Sequence, residues 1–96
     1  MKNKYDINQF VNTITLASVS NGIVERVKDK RKKMKLSQQK LAIRSGVSYA
    51  SIRRFETTGE ISFSSLLKIA NALECLADFN LLFPHEKITN LKDLWL

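Results

Sequence analysis

A single cysteine, a single histidine, a single proline and three glycines in 96 residues close off several kinds of protein at once. Cys75 has no cysteine to pair with inside the chain, and with His85 as the lone histidine the ligand set of an ordinary zinc site is missing. No apolar run approaches the length that spans a bilayer. The N-terminal stretch MKNKYDINQFVNTITL has neither the apolar block nor the small-residue cleavage site of a signal peptide. A cytoplasmic protein with no membrane partner is therefore expected. No carboxylates are paired at helical spacing beside a histidine, a serine or a glycine-rich loop, so acid-base and phosphoryl-transfer chemistry lack their residues. Neither catalysis nor a cofactor is expected.

What is present suits one small globular domain. Hydrophobic residues make up 44% of the chain, enough for one modest core that leans on a partner for stability. The formal net charge is +7, and eleven of the sixteen Lys and Arg lie between Arg26 and Arg54, a span whose one acid is Asp29. A basic run is most often a solvated helix face, but so focused a block also suits a polyanionic partner.

The periodicity predicts an all-α chain of five helices. The first runs from about Asn21 to Met34 behind Ser20 as N-cap, with Ile23, Val27 and Met34 on one side. Its end, KDKRKKMK, puts positive charge where the helix macrodipole favours it. The second starts after Ser37, turns Leu41 and Ala42 inward and stops at Gly46; the third starts after Ser48, turns Ile52 and Phe55 inward and ends near Thr58 and Gly59. The fourth carries Leu66, Ile69, Ala70 and Leu73 at helical period. CLADFNLLF reads as a fifth helix with Leu76, Phe79, Leu82 and Phe83 on one face, a strand being the alternative, and Pro84 ends it. Residues 1–19 read as an N-terminal extension, 20–83 as the domain and 84–96 as a tail. In the extension Ile7, Phe10, Val11 and Ile14 have helical spacing, while TITLASV also suits a strand. In the tail Asn90 can cap a short helix.

The segment LSQQKLAIRSGVSYASIRRFE carries the functional signal. Counted from Gln38, Leu41, Val47, Ile52 and Phe55 occupy the fourth, tenth, fifteenth and eighteenth places, with Ala42 fifth and Gly46 ninth. Two helices joined by a short turn cross closely, so a small side chain is needed where they touch and a glycine where the chain reverses. This is the spacing of a DNA-binding helix-turn-helix. The third helix keeps its apolar residues to Ile52 and Phe55 and leaves Tyr49, Ala50, Ser51, Arg53 and Arg54 outward. A helical hairpin of an inert bundle would not leave that face so polar.

On KDKRKKMKLSQQKLA, SGVSYASIRRFE and SLLKIANAL the sequence resembles the Cro/C1-type, or XRE-type, helix-turn-helix regulators, over about Ile23 to Phe83. The resemblance implies a compact five-helix, lambda-repressor-like domain that binds a double-stranded operator as a dimer. It also implies that Gln38 holds a phosphate, that Tyr49, Ala50, Arg53 and Arg54 face the major groove, and that Ser48 and Ser51 serve the nearby backbone. A family pairing of a first-helix arginine with the glutamate closing helix three maps onto Arg31 and Glu56. In the family's arrangement the basic end of helix one lies beside DNA, making Lys33 and then Lys40 candidate phosphate contacts. Many relatives carry glutamine where this chain has Tyr49 and Ala50, and neither residue can bond adenine bidentately. Base reading is thereby shifted to Arg53 and Arg54, either of which suits guanine, and spacing does not choose between them.

A narrower resemblance, on RRFETTGEISFSSLLKIANAL with FNLLFP behind it, is to antitoxins found beside HipA-type kinase toxins. It implies an alternative function: an antitoxin that holds a HipA-like kinase and autoregulates its operon. Phe79, Leu82, Phe83 and Trp95 are the candidate dimer interface. Cys75 reads as a core thiol and His85 as a surface residue. Trp95 reads as a tail residue folded onto its own domain, an anchor for a dimer mate or toxin being the alternative.

Overall fold

The computed structural model describes residues 14–85. Four α-helices follow one another: α1 (Leu16–Lys33), α2 (Gln38–Ser45), α3 (Tyr49–Thr58) and α4 (Phe63–Ala72), and a 3-10 helix (Leu76–Leu81) comes after them. Three serines open the last three α-helices in the same way. Ser37, Ser48 and Ser62 have extended backbones, and each side chain accepts the N–H three residues on. A cap of this kind contributes about 0.5–2 kcal/mol. Gly46 and Gly59 close α2 and α3 at φ 77° and 83°, a region in which a side chain is strained.

Leu41, Val47, Ile52, Ile69 and Leu73 form the buried core, and Val27, Met34, Leu36, Ala42, Ile61, Ala72 and Cys75 pack around it. Phe55, Val24 and Ala70 are buried as well. Helix α2 packs on both α3 and α4, while α1 crosses α3. The core thus lies behind the helix-turn-helix pair and holds it from one side.

Two expectations are corrected. Helix α1 begins at Leu16, not near Asn21, and Thr15, not Ser20, caps it. The Thr15 hydroxyl accepts from Ser18 N–H at 3.0 Å, and Ser18 Oγ accepts from Thr15 N–H at 2.9 Å. This reciprocal box leaves no reason to start a turn later, and the strand reading of TITLASV fails with it. The last element is a helix, as expected, and not a strand, but it is of 3-10 rather than α type; none of its residues is fully buried, and Phe83, expected on its apolar face, is 96% exposed. Glu74, at φ 62°, breaks the chain out of α4. Pro84 bars the residue before it from right-handed helix, so only a short, tighter turn fits between them. Ile7, Phe10, Val11, Asn90 and Trp95 lie outside the described residues. Among the described residues no helix is long and apolar enough to cross a membrane.

Candidate nucleic-acid interface

The angle at which α3 is presented is set by a buried ion pair. Arg31, 8% exposed near the end of α1, donates from Nε to Glu56 Oε2 at 2.8 Å and from Nη2 to Glu56 Oε1 at 3.0 Å. Its Nη1 donates to the Leu36 carbonyl at 2.8 Å, and Gln38 Nε2 donates to Glu56 Oε1 at 2.8 Å. The Glu56 side chain is 4% exposed. The Arg31–Glu56 pair therefore joins the end of α1, the α1–α2 turn through Leu36, the first residue of α2 through Gln38, and the inner side of α3. Planar bidentate bonding fixes direction as well as distance, so α2 and α3 are held in one relative orientation.

On the other side of α3, Tyr49, Ala50, Arg53 and Arg54 are exposed. Residues four apart share a helix face, so Tyr49 with Arg53 and Ala50 with Arg54 make two adjacent columns. The Arg53 guanidinium carbon lies 5.5 Å from the Tyr49 ring centre, within cation–π range. Arg54 Nη2 donates to Glu60 Oε1. The two arginines that spacing leaves equivalent are thus held differently, one on an aromatic face and one by a carboxylate.

The remaining sites lie around this face. Ser48 Oγ accepts from Ser51 N–H at 3.1 Å and donates to Ser51 Oγ at 2.8 Å, so Ser48 is engaged in capping while Ser51 keeps its own hydroxyl proton. Lys33 ends α1 and Lys40 lies in the first turn of α2, and both are exposed. Gln38 is half-buried and commits one of its two amide hydrogens to Glu56. Ala42 is half-buried against the core, as a tight crossing requires, and Gly46 makes the turn.

A helix-turn-helix family model matches residues 27–79, more than half of the chain and all of α2, α3 and α4. The chain belongs to the Cro/C1-type, or XRE-type, helix-turn-helix family. Among curated proteins none matches it. Membership makes this XRE-type chain a DNA-binding regulator and accounts for the all-helical fold. The helix-turn-helix is a binding rather than a catalytic domain.

Away from that face, α1, α4 and the 3-10 helix enclose an apolar groove of about 320 Å³ lined by Ile23, Val27, Leu66, Leu73, Phe79 and Leu82. Phe79 meets the Phe63 ring edge-on at 6.3 Å. Cys75 also lines the groove; burial raises its thiol pKa more than the nearby Lys30 lowers it, with Asp78 adding a smaller upward push. A nucleophilic cysteine needs the opposite shift.

Sequence reasoning missed Glu60 and Thr58. Arg54 and Glu60 are six apart and stand on opposite sides of a helix-ending glycine, which no helical pairing rule covers.

Proposed function

We propose that this XRE-type protein is a sequence-specific transcriptional regulator that occupies an operator as a dimer, with α3 in the major groove. The observation that carries the reading is the pairing of a polar, basic outer face on α3 with a buried Arg31–Glu56–Gln38 lock on its inner face. Arg53 and Arg54 have the donor fork that guanine O6 and N7 accept, and Ala50 can touch a thymine methyl. Tyr49 packs on sugar or bonds a phosphate. Lys33, Lys40, Ser51 and the second amide hydrogen of Gln38 are suited to phosphate oxygens, which set register without reading sequence.

One such helix spans only a few base pairs, so specificity calls for two copies with half-sites about 34–36 Å apart. The exposed Leu81, Leu82 and Phe83 beside the apolar groove favour this face for self-association. The same surface supports a second reading, in which it meets a HipA-like kinase toxin. Footprinting on duplexes selected from a randomised pool tests the first reading: two protected stretches one helical turn apart are expected, and a failure to enrich any sequence would reject it. Relief of growth arrest by the chain when a HipA-like kinase is co-expressed tests the second.

A further inference from the structure

Glu60 forms part of a closed ring of hydrogen bonds with the arginine column of α3. Thr58 Oγ1 donates to the Arg54 carbonyl at 2.7 Å and accepts from Glu60 N–H at 3.1 Å. Glu60 Oε1 in turn accepts from Arg54 Nη2. Gly59 between them is left-handed and approaches α1 so closely that a Cβ there would lie 2.5 Å from Ser20 Oγ. The backbone that carries Glu60 is thus held from two directions, which sets its carboxylate beside the Arg54 guanidinium.

The Arg54 and Glu60 side chains are 69% and 65% exposed, so their pairing contributes little to stability. Its consequence is for a ligand. Both ligands can take the arginine fork, but a phosphate adds the attraction of a full charge, whereas the edge of guanine is neutral and depends on the geometry of the fork alone. A carboxylate on Nη2 offsets the charge of Arg54 and orients the rest of its fork. It therefore weakens the attraction to phosphate more than the attraction to a base. Arg53, backed by an aromatic ring and paired with no carboxylate among the described residues, keeps its full charge.

We infer that Glu60 is a specificity-determining residue that positions Arg54 to read guanine and suppresses its binding to phosphate, leaving Arg53 as a backbone contact. The inference rests on the proposed placement of α3 in the major groove.

The test compares a duplex selected by the parent protein from a randomised pool with random duplex, across a salt series. Glu60→Ala and Glu60→Gln should bind random duplex several-fold more tightly, with a salt slope steeper by about 0.9 for each added phosphate contact, one such contact per bound chain. Preference for the selected duplex should fall about tenfold, mostly at one guanine per half-site. Thr58→Val keeps the charge but removes the clamp, so preference should fall while random-duplex affinity stays near that of the parent. Arg54→Ala should lose the guanine preference, and adding Glu60→Ala to it should leave the remaining preference unchanged. All these variants should melt with the parent, since the pair is exposed.

If Glu60→Ala raises affinity for both duplexes equally and preference is intact, Glu60 is a general repulsive charge and the inference is overturned. Retention of the guanine preference by Arg54→Ala overturns it as well. A parent protein that selects no sequence at all would instead defeat the functional reading beneath it, and the inference with it.

Discussion

Arg31 is a buried cation whose hydrogen bonds run to one carboxylate and one carbonyl. Removal of Glu56 leaves it with the carbonyl alone and strands Gln38 beside it. Loss of one partner of a buried pair costs about 3–5 kcal/mol, a large part of what a small domain has. Glu56→Ala should therefore lower the unfolding free energy by that amount, read from the urea midpoint at unchanged slope. Replacement of both charges by apolar residues should recover much of the loss, because no unpaired charge then remains. A loss below about 1 kcal/mol in the single variant, the range of exposed pairs, would mean that water reaches Arg31. Ala42→Leu tests a different kind of contact: overpacking at the α2 crossing should cost about 1–3 kcal/mol and weaken DNA binding. Unchanged melting and binding would show that the crossing has room to spare.

The helices show how the chain manages with few glycines. Helices α2 and α3 close on Gly46 and Gly59, and this much was legible from SGVS and TTGE. Helix α1 ends differently: Lys35 adopts φ 59°, Leu36 N–H reaches back to the Arg31 carbonyl, and a side chain occupies a conformation that favours glycine. Glu74 does the same after α4, with Cys75 N–H on the Ala70 carbonyl. Left-handed backbone costs a residue with a Cβ about 1–2 kcal/mol, and glycine forfeits about 0.5–1 kcal/mol in unfolded-chain entropy. Lys35→Gly should thus stabilise the protein by about 0.5–1 kcal/mol, seen as a higher urea midpoint. A lower midpoint would mean that the Lys35 side chain makes a contact worth more than its strain.

The same features explain what could be read in advance. The caps at Ser37 and Ser48 and the inward Leu41, Ile52, Phe55, Ile69 and Leu73 follow rules of spacing within one helix, and the structure realises them. The start of α1 could not be found from burial, because Leu16 is 93% exposed and its first turns show no inward face. The 3-10 helix follows from a left-handed glutamate and a proline acting together, a combination that apolar period alone does not register. The Arg31–Glu56 pair is 25 residues apart in sequence and was accessible only through family resemblance. The Arg54–Thr58–Glu60 ring crosses a helix end and had no signal at all.

At the scale of the whole molecule, the basic face of α3 and the exposed apolar residues after α4 belong to different elements, although Arg26 and Lys30 of the basic block also line the apolar groove. The cations from Arg26 to Arg54 include the face of α3, whereas Leu76, Leu81, Leu82 and Phe83 expose apolar surface beyond α4. The proposed reading assigns the α3 face to DNA and the apolar residues after α4 to a second copy. Sedimentation of the protein with a selected duplex should give two chains per duplex, and Leu82→Glu with Phe83→Glu should reduce this to one while leaving the melting temperature nearly unchanged. A parent that stays monomeric both free and on DNA would remove dimerisation from the account.

The central claim is that the outer face of α3 reads base sequence while the surrounding lysines only bind phosphate. It is tested most directly by measuring the affinity of Arg53→Ala with Arg54→Ala, and separately of Lys33→Ala and Lys40→Ala, for a selected duplex, its single-base variants and random duplex across a salt series. The paired arginine variant should lose preference for at least one base pair per half-site, worth about 1–3 kcal/mol. Each lysine variant should lose affinity equally on every duplex, with the salt slope reduced by about one per lost contact. Loss of affinity by the arginine variant in equal proportion on all duplexes, with base preference intact, would make α3 a phosphate clamp and contradict the account.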